Sequence, residues 1–195
     1  MDDPARKQTF LDIYDDSMWL INLVENILSI SRIEDGRMNL SISTELVSEV
    51  FEEALRHTNR HSEQHTITVQ MDDDLLLAHM DAKLVVQVLI NLVDNAIKYT
   101  PAGSHIVLSA AAQGESAVIR VSDDGPGIPD EAKEKVFEMF STGEKRISDS
   151  RRSLGLGLAY AARSSQPRRH HYTVRQYAAR LHLYFYTAPW GGFFA

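Results

Sequence analysis

Four polar side chains recur at helical spacing in one stretch of the chain, and their types suit binding of a metal ion and a phosphate. They are Gln87, Asn91, Asn95 and Lys98. Steps of four, four and three residues put them on nearly the same side of a helix. Amide oxygens can bind a hard cation, amide nitrogens can donate to phosphate, and lysine adds positive charge. A solvated helix face would have the same pattern, so both interpretations stay open at this point.

Two glycine-bearing segments follow further along the chain. The first reads DDGPGIP and begins at Asp123, directly after the strand-like run AVIRVS. The second is GLGL, with glycines at 155 and 157. Each is weak evidence alone, because Asp, Pro and Gly dominate ordinary polar turns.

Taken in order, NLVDNAIKYTP, DDGPGIP followed by VFEMF, and GLGL resemble the N, G1, F and G2 boxes of sensor histidine kinases. That family belongs to the ATPase superfamily shared with gyrase and the heat-shock chaperones. The residues of these motifs are most similar to those of the kinase of the potassium-transport system. The resemblance covers about residues 10–159. It implies an α+β fold, a two-layer α/β sandwich with a mixed, mostly antiparallel sheet, that binds ATP and Mg²⁺.

The resemblance also implies roles for residues of the predicted helix. Asn95 matches the magnesium ligand, and Asn91 lies nearby on the preceding turn. Lys98 matches the phosphate contact, and Tyr99 would lie near the nucleotide. One amide oxygen is sufficient, since magnesium usually takes one or two protein oxygens plus phosphates and waters.

In the resembled fold, the carboxylate of Asp123 accepts a hydrogen bond from the amino group of adenine. An ionised carboxylate suits this role because it can only accept. Gly125 and Gly127 would let the backbone approach the base. The second glycine pair would let a helix N-terminus approach the phosphates. The implied nucleotide-binding set is completed by Ile128, Gly155, Leu156, Gly157 and Leu158.

One departure from the wider superfamily favours a kinase. Gyrase-type ATPases have a glutamate, the base for the attacking water, at the place of Asn91. Without that base we expect no rapid hydrolysis. Residues 141–154 would be a lid over the phosphates, carrying Lys145, Arg146, Arg151 and Arg152; the sequence assigns no catalytic residue among them.

Regular elements must position these residues. A helix from Asp81 to Thr100 is predicted, because Asp81 suits an N-cap and apolar residues recur at steps of three and four. Its apolar face consists of Leu84, Val85, Val88, Leu89, Leu92, Val93, Ala96 and Ile97. Further predictions are a strand over 38–42, a helix over 45–57 capped by Thr44, strands near 67–71 and 75–80, a hairpin of 105–112 with 117–122, and a helix over 131–140.

Within residues 1–36 a further helix is predicted over 5–35, with a heptad seam of Phe10, Ile13, Ser17, Leu20, Val24, Ile27 and Ser31. So wide an apolar stripe suits a helix bundle. By the resemblance it is the second helix of the dimerisation domain, and the phospho-acceptor helix is absent. None of the eight histidines has the phospho-acceptor context, so we expect no autophosphorylation by this chain alone. A metal site at His57, His61 and His65 is disfavoured.

Residues 37–159 are the predicted ATP-binding catalytic domain, and the family pattern stops after Ala159. Residues 151–195 hold seven arginines and no acidic residue, in a chain of net charge −7. Pro167 would end the expected helix early. We therefore interpret residues 160–195 as an aberrant segment, of the kind that a shift of reading frame near codon 159 would produce. The alternative is a genuine divergent end in which HYTVRQY and RLHLYFYT form a hairpin; nucleic-acid binding by this basic stretch is disfavoured.

Composition limits the remaining possibilities. The chain has no cysteine, which excludes disulfides and thiolate zinc sites. No run has the length of a membrane span and no signal peptide opens the chain, so we expect a cytoplasmic piece of a parent anchored in the inner membrane.

The sequence therefore predicts a fragment of a sensor histidine kinase. By the resemblance, the parent would move the γ-phosphoryl of ATP to a histidine and then to the receiver domain of a response regulator. Its other partners would be the parent's dimerisation helices. The alternatives are a non-catalytic ATP-binding or interaction fragment, and a serine kinase of the anti-sigma-factor type.

Overall fold

The computed structural model describes residues 4–34, 41–58, 64–114, 116–127, 172–177 and 180–186. Two compact units are found, Met1–Met38 and Asn39–Ala195. Within the described ranges the elements are α1 (Pro4–Glu34), β1 (Ser43–Leu46), α2 (Val47–Arg56), β2 (Thr66–Met71), β3 (Leu77–Met80), α3 (Ala82–Tyr99), β4 (His105–Gln113), β5 (Ser116–Asp123), β6 (Tyr172–Tyr177) and β7 (Arg180–Tyr186). None of the described helices is both long enough and apolar enough to cross a membrane.

The first unit contains α1, a helix of 31 residues, and the helix predicted over 5–35 is confirmed. Most of its predicted seam lies open: Phe10 is 66% exposed and Val24 is 52% exposed. Large apolar side chains so exposed suit packing against further helices. The assignment of this helix to a dimerisation domain stays a prediction.

In the second unit, α3 begins and ends close to the predicted positions. The Asp81 carboxylate accepts a hydrogen bond from the Leu84 amide at 3.2 Å, and so caps the first turn. All eight predicted apolar residues of this helix are buried. The helix ends at Tyr99, where Thr100 adopts an extended backbone before Pro101, as residues before proline prefer.

The start of the second unit differs from the prediction. Thr44 does not cap α2, because it lies inside β1, which pairs antiparallel with β3. The N-cap of α2 is Leu46, which has no side-chain capping bond. Instead, the amide of Val47 donates to the carbonyl of Leu76 at 3.0 Å. The strand predicted over 38–42 is also wrong at residues 41–42, which form no strand, while 38–40 lie outside the described residues.

The main sheet has five strands in the order β2-β4-β5-β7-β6. β2 and β4 are parallel, and the other neighbours are antiparallel. Helices α2 and α3 pack on each other, and α3 packs on β4 and β5. The predicted α+β fold with a mixed, mostly antiparallel sheet is confirmed, as are the strand at 67–71 and the hairpin of β4 with β5. The strand predicted over 75–80 is confirmed from Leu77.

The C-terminal stretch contributes two strands to this sheet. β6 and β7 form an antiparallel hairpin, and β7 pairs with β5 along its whole length. Leu181, Leu183 and Phe185 stand opposite Val121, Ile119 and Ala117, which are all buried. The alternative prediction of a hairpin is confirmed, while an origin in a frame shift stays a prediction. The predicted helix over 131–140 and Pro167 lie outside the described residues.

Candidate functional site

The end of β5 delivers Asp123 to the inner side of the sheet. Asp123 is paired in register with Ile106, which is fully buried. Residues directly opposite in an antiparallel pair share one face. The carboxylate of Asp123 therefore lies on the face that carries the core, although it is the last residue of its strand.

Gly125 is closely packed in the segment that follows. Its amide donates to Asp123 Oδ1 at 3.0 Å. A Cβ atom at this position would lie 2.5 Å from Cγ2 of Thr100 and 2.8 Å from Asp123 Oδ1, so a side chain here requires its neighbours to move. Gly127 has a φ of +74°, a backbone conformation that favours glycine. Gly125 thus allows a close approach to Thr100 and to the Asp123 carboxylate, and Gly127 allows a backbone conformation that other residues rarely adopt.

The pKa values of the two adjacent carboxylates, Asp123 and Asp124, shift in opposite directions. Burial raises the pKa of Asp123 above its ordinary value, the charge of Asp124 adds to this, and the Gly125 amide opposes it. The amide of His105 donates to the exposed Asp124 at 3.0 Å and holds the pKa of Asp124 low. Asp124 therefore fastens the loop to the start of β4, while Asp123 is partly buried and accepts a bond from the Gly125 amide.

The predicted phosphate-binding residues lie on the C-terminal half of α3. Asn91 is 9% exposed, and Asn95 is partly exposed. The ammonium nitrogen of Lys98 is enclosed and lies 5.3 Å from the ring centre of Tyr99. Because Thr100 follows directly and packs against Gly125, this end of the helix adjoins the segment that begins with Asp123.

The donor set near Asn95 fits magnesium only as an ion shared with a ligand. Among the described residues, no group of three or more His, Cys, Asp or Glu side chains could hold a metal ion. The amide oxygens of Asn91 and Asn95 would be neutral ligands. Magnesium bound by so few protein oxygens takes phosphate and water oxygens for its other positions.

Two residues that hold neighbouring backbone in place were not found from the sequence. Thr100 contacts Gly125, and Asp124 binds His105. The only local signal for Thr100 is a hydroxyl residue directly after a helix, four residues from a carbonyl that it can reach. The predicted lid over 141–154 lies outside the described residues. So do the remaining predicted nucleotide-binding residues, which are Ile128, Gly155, Leu156, Gly157 and Leu158.

The sequence matches the family described as histidine kinase-, DNA gyrase B-, and HSP90-like ATPase over residues 80–182. This match covers more than half of the chain, so the chain belongs to that family. The matched range continues past Ala159 into β7, beyond the point where the motifs stop.

Curated relatives narrow the class. The chain is 39% identical over 158 residues to the sensor protein KdpD of Clostridium acetobutylicum, a match that covers 80% of this chain and 18% of that protein. It is 35% identical over 137 residues to KdpD of Escherichia coli, covering 70% of this chain and 15% of that protein. The chain therefore spans less than a fifth of these two proteins. It contains the catalytic ATPase domain of the histidine kinase family, as the motifs predicted.

A solved structure agrees on the fold. The histidine kinase ThkA in complex with the response regulator protein TrrA superposes with a TM-score of 0.65 at 21% identity. The match covers 97% of this chain and 54% of that one. At this identity the likeness supports the fold alone.

Proposed function

We propose that this chain binds ATP together with Mg²⁺, and that in a longer protein it transfers the γ-phosphoryl group to a histidine. The observation that carries the proposal is the junction of two half-sites. Asp123 lies on the buried face of the sheet next to Gly125. Gly125 packs against Thr100 at the end of α3, the helix that carries Asn95 and Lys98. A nucleotide has the two matching ends, a base with an amino donor and an anionic phosphate chain.

The adenine half would centre on Asp123. An ionised carboxylate offers only acceptors, so it selects a base with an amino group. Partial burial strengthens this selection, because a hydrogen bond in a less polar environment is electrostatically stronger. Because Gly125 and Gly127 have no side chains, the base would lie against the backbone there, with Ile128 as a further contact.

The phosphate half would be formed by α3. Asn95 would hold Mg²⁺ through its amide oxygen, with Asn91 beside it, and Lys98 would contact a phosphate while Tyr99 lies near the nucleotide. The ion, when bound, would neutralise phosphate charge. The glycine pair within Gly155, Leu156, Gly157 and Leu158 would approach the phosphates from a helix N-terminus.

The residue types favour transfer to a protein over hydrolysis. Position 91, where gyrase-type enzymes have their basic glutamate, holds an asparagine. A neutral amide cannot accept the proton of an attacking water, so the chain would preserve bound ATP for another acceptor.

The partners would belong to two-component signalling in the cytoplasm. The exposed apolar stripe of α1 fits dimerisation helices of the parent, which we propose is anchored in the inner membrane. The ThkA structure contains a response regulator protein, which supports a receiver domain as the onward acceptor for this chain's parent.

Nucleotide affinity should fall in acid through protonation of Asp123. Without ligand, burial raises the pKa of the Asp123 carboxyl above its ordinary value of 3.8. The protonated carboxyl therefore contributes to folding stability fully below pH 3.8, and this contribution is lost as the pH rises through the raised pKa. An adenine amino group favours the ionised form, so binding must release a proton in that window. Calorimetric titration with Mg-ADP at decreasing pH should show weaker binding, and Asp123→Asn should remove the part of this dependence that does not come from the nucleotide.

A phosphotransfer assay tests the kinase proposal. The chain is incubated with γ-labelled ATP and a separately supplied dimerisation bundle that carries the phospho-acceptor histidine. We expect acid-labile phosphate on the bundle, none on this chain, and none when the acceptor histidine is replaced by glutamine. Acid-stable phosphate would instead support the serine kinase alternative, and binding of ATP without any transfer would support a non-catalytic fragment. Labelling of His57, His61 or His65 would contradict the proposal that the acceptor lies elsewhere.

A further inference from the structure

Thr100 connects the two half-sites through its side chain. It is the first residue after α3 and is only 6% exposed. Its hydroxyl donates to the carbonyl of Ala96 at 2.7 Å, and its amide donates to the same carbonyl at 3.1 Å. These two bonds fix both the backbone and the side chain of Thr100 to the last turn of the helix.

With the hydroxyl held by the helix, the methyl group is directed at the glycine segment. Cγ2 lies 2.5 Å from the position that a Cβ atom of Gly125 would occupy. The amide of Gly125 in turn donates to Asp123 Oδ1. One continuous chain of contacts therefore runs from the helix carbonyl through Thr100 and Gly125 to the carboxylate of Asp123.

We propose that Thr100 is a positioning residue, whose methyl group sets the separation between the adenine-binding carboxylate and the phosphate-binding end of α3. This inference rests on the proposed function, because the separation matters only to a ligand that spans both half-sites. Thr100 need not touch the ligand: its hydroxyl fixes the orientation of the side chain, and its methyl group serves as the spacer.

Two substitutions separate the hydroxyl from the methyl. Thr100→Ser keeps the bond to Ala96 and removes the spacer. Thr100→Val keeps a methyl against Gly125, since β-branched side chains have few χ1 choices, and removes the hydroxyl bond. A residue that served only to end the helix would tolerate serine and not valine. A spacer must tolerate valine better than serine.

The test measures three ligands on the full chain and its variants: Mg-ADP spans both half-sites, adenosine fills one, and Mg-tripolyphosphate fills the other. Thr100→Ser should weaken Mg-ADP about fivefold, as loss of one packed methyl does, and leave adenosine and Mg-tripolyphosphate within about twofold. Thr100→Val should bind Mg-ADP more tightly than Thr100→Ser. Thr68→Ser removes a methyl from an exposed threonine of β2 and is the matched control.

Each result decides the inference. Unchanged Mg-ADP affinity in Thr100→Ser overturns it, and so does an equal loss for adenosine, which would restrict Thr100 to shaping the adenine side. Absence of Mg-ADP binding by the unaltered chain would instead refute the proposed function itself.

A double-mutant cycle tests the contact between Thr100 and Gly125 directly. Gly125→Ala should weaken Mg-ADP strongly in the presence of Thr100, because the new Cβ collides with Cγ2. Combined with Thr100→Ser, which removes Cγ2, the same change should weaken Mg-ADP less. Additive effects of the two substitutions would overturn the inference without affecting the proposed function.

Discussion

Removal of residues 172–195 is expected to abolish the cooperative thermal unfolding of the second unit, Asn39–Ala195, which contains the ATPase domain. β7 lies between β5 and β6 in the sheet, so the truncation would turn β5 into an edge strand and expose its whole ladder. Ile119 and Val121, which stand opposite β7 in register, are buried in the intact chain.

The expected loss is comparable with the whole stability of a domain. Uncovering a large apolar side chain costs roughly 2 kcal/mol, and each ladder hydrogen bond contributes about 1 kcal/mol. The total free energy of unfolding of a natural domain is only about 5–15 kcal/mol. Two uncovered side chains and a lost ladder are therefore enough to unfold the unit.

Truncation after Tyr186 is the matched control, because it keeps every described strand. Calorimetric or circular-dichroism melting of the intact chain and both truncations makes the comparison. A melting temperature unchanged by the loss of residues 172–195 would mean that this stretch is a dispensable appendage, as expected of a frame-shifted end.

Asp123→Asn is expected to weaken Mg-ADP by about 1–3 kcal/mol, the cost of an impaired buried polar pair. The substitution preserves shape but replaces one acceptor oxygen with a donor. The Gly125 amide already binds Oδ1 at 3.0 Å, so the amide oxygen of asparagine should turn to it and leave a donor facing the adenine amino group.

Asp124→Asn provides the control for this substitution. It makes the same chemical change one residue away, on an exposed carboxylate whose bond from the His105 amide an asparagine oxygen can still accept. We expect its Mg-ADP affinity to stay within about twofold of the unaltered chain. Equal losses in the two variants, measured by calorimetry, would contradict the assignment of adenine to Asp123.

The parts of the fold that the sequence predicted are those that local chemistry determines. Asp81 caps α3 through a residue three positions away, and the apolar face follows the helical period. The β4–β5 hairpin likewise joins neighbouring segments of alternating pattern. In these cases the interacting residues are close in the sequence, so their spacing contains the information.

The errors arose where distant segments compete for the same residues. Thr44 has the chemistry of an N-cap, but Thr44 stands opposite His79 in the β1–β3 pair. The helix amide that needed a partner instead found the Leu76 carbonyl. No pattern around residue 44 reports this pairing.

The candidate site divides in the same way. The residue types at Asn95, Lys98, Asp123 and Gly125 were recognisable as a motif. The contact between Thr100 and Gly125, and the burial that raises the pKa of Asp123, depend on how α3 packs on the sheet. Such packing joins segments about twenty-five residues apart, so it became visible only in three dimensions.

The most direct test of the central claim, that the chain binds a magnesium nucleotide across Asp123 and the end of α3, is a calorimetric titration of the full chain with ADP. We predict one saturable site per chain that requires Mg²⁺ for full affinity and is weakened by Asp123→Asn and by Asn95→Ala. A folded chain that gives no saturable heat with Mg-ADP, or binds it equally well in both variants, would contradict the account.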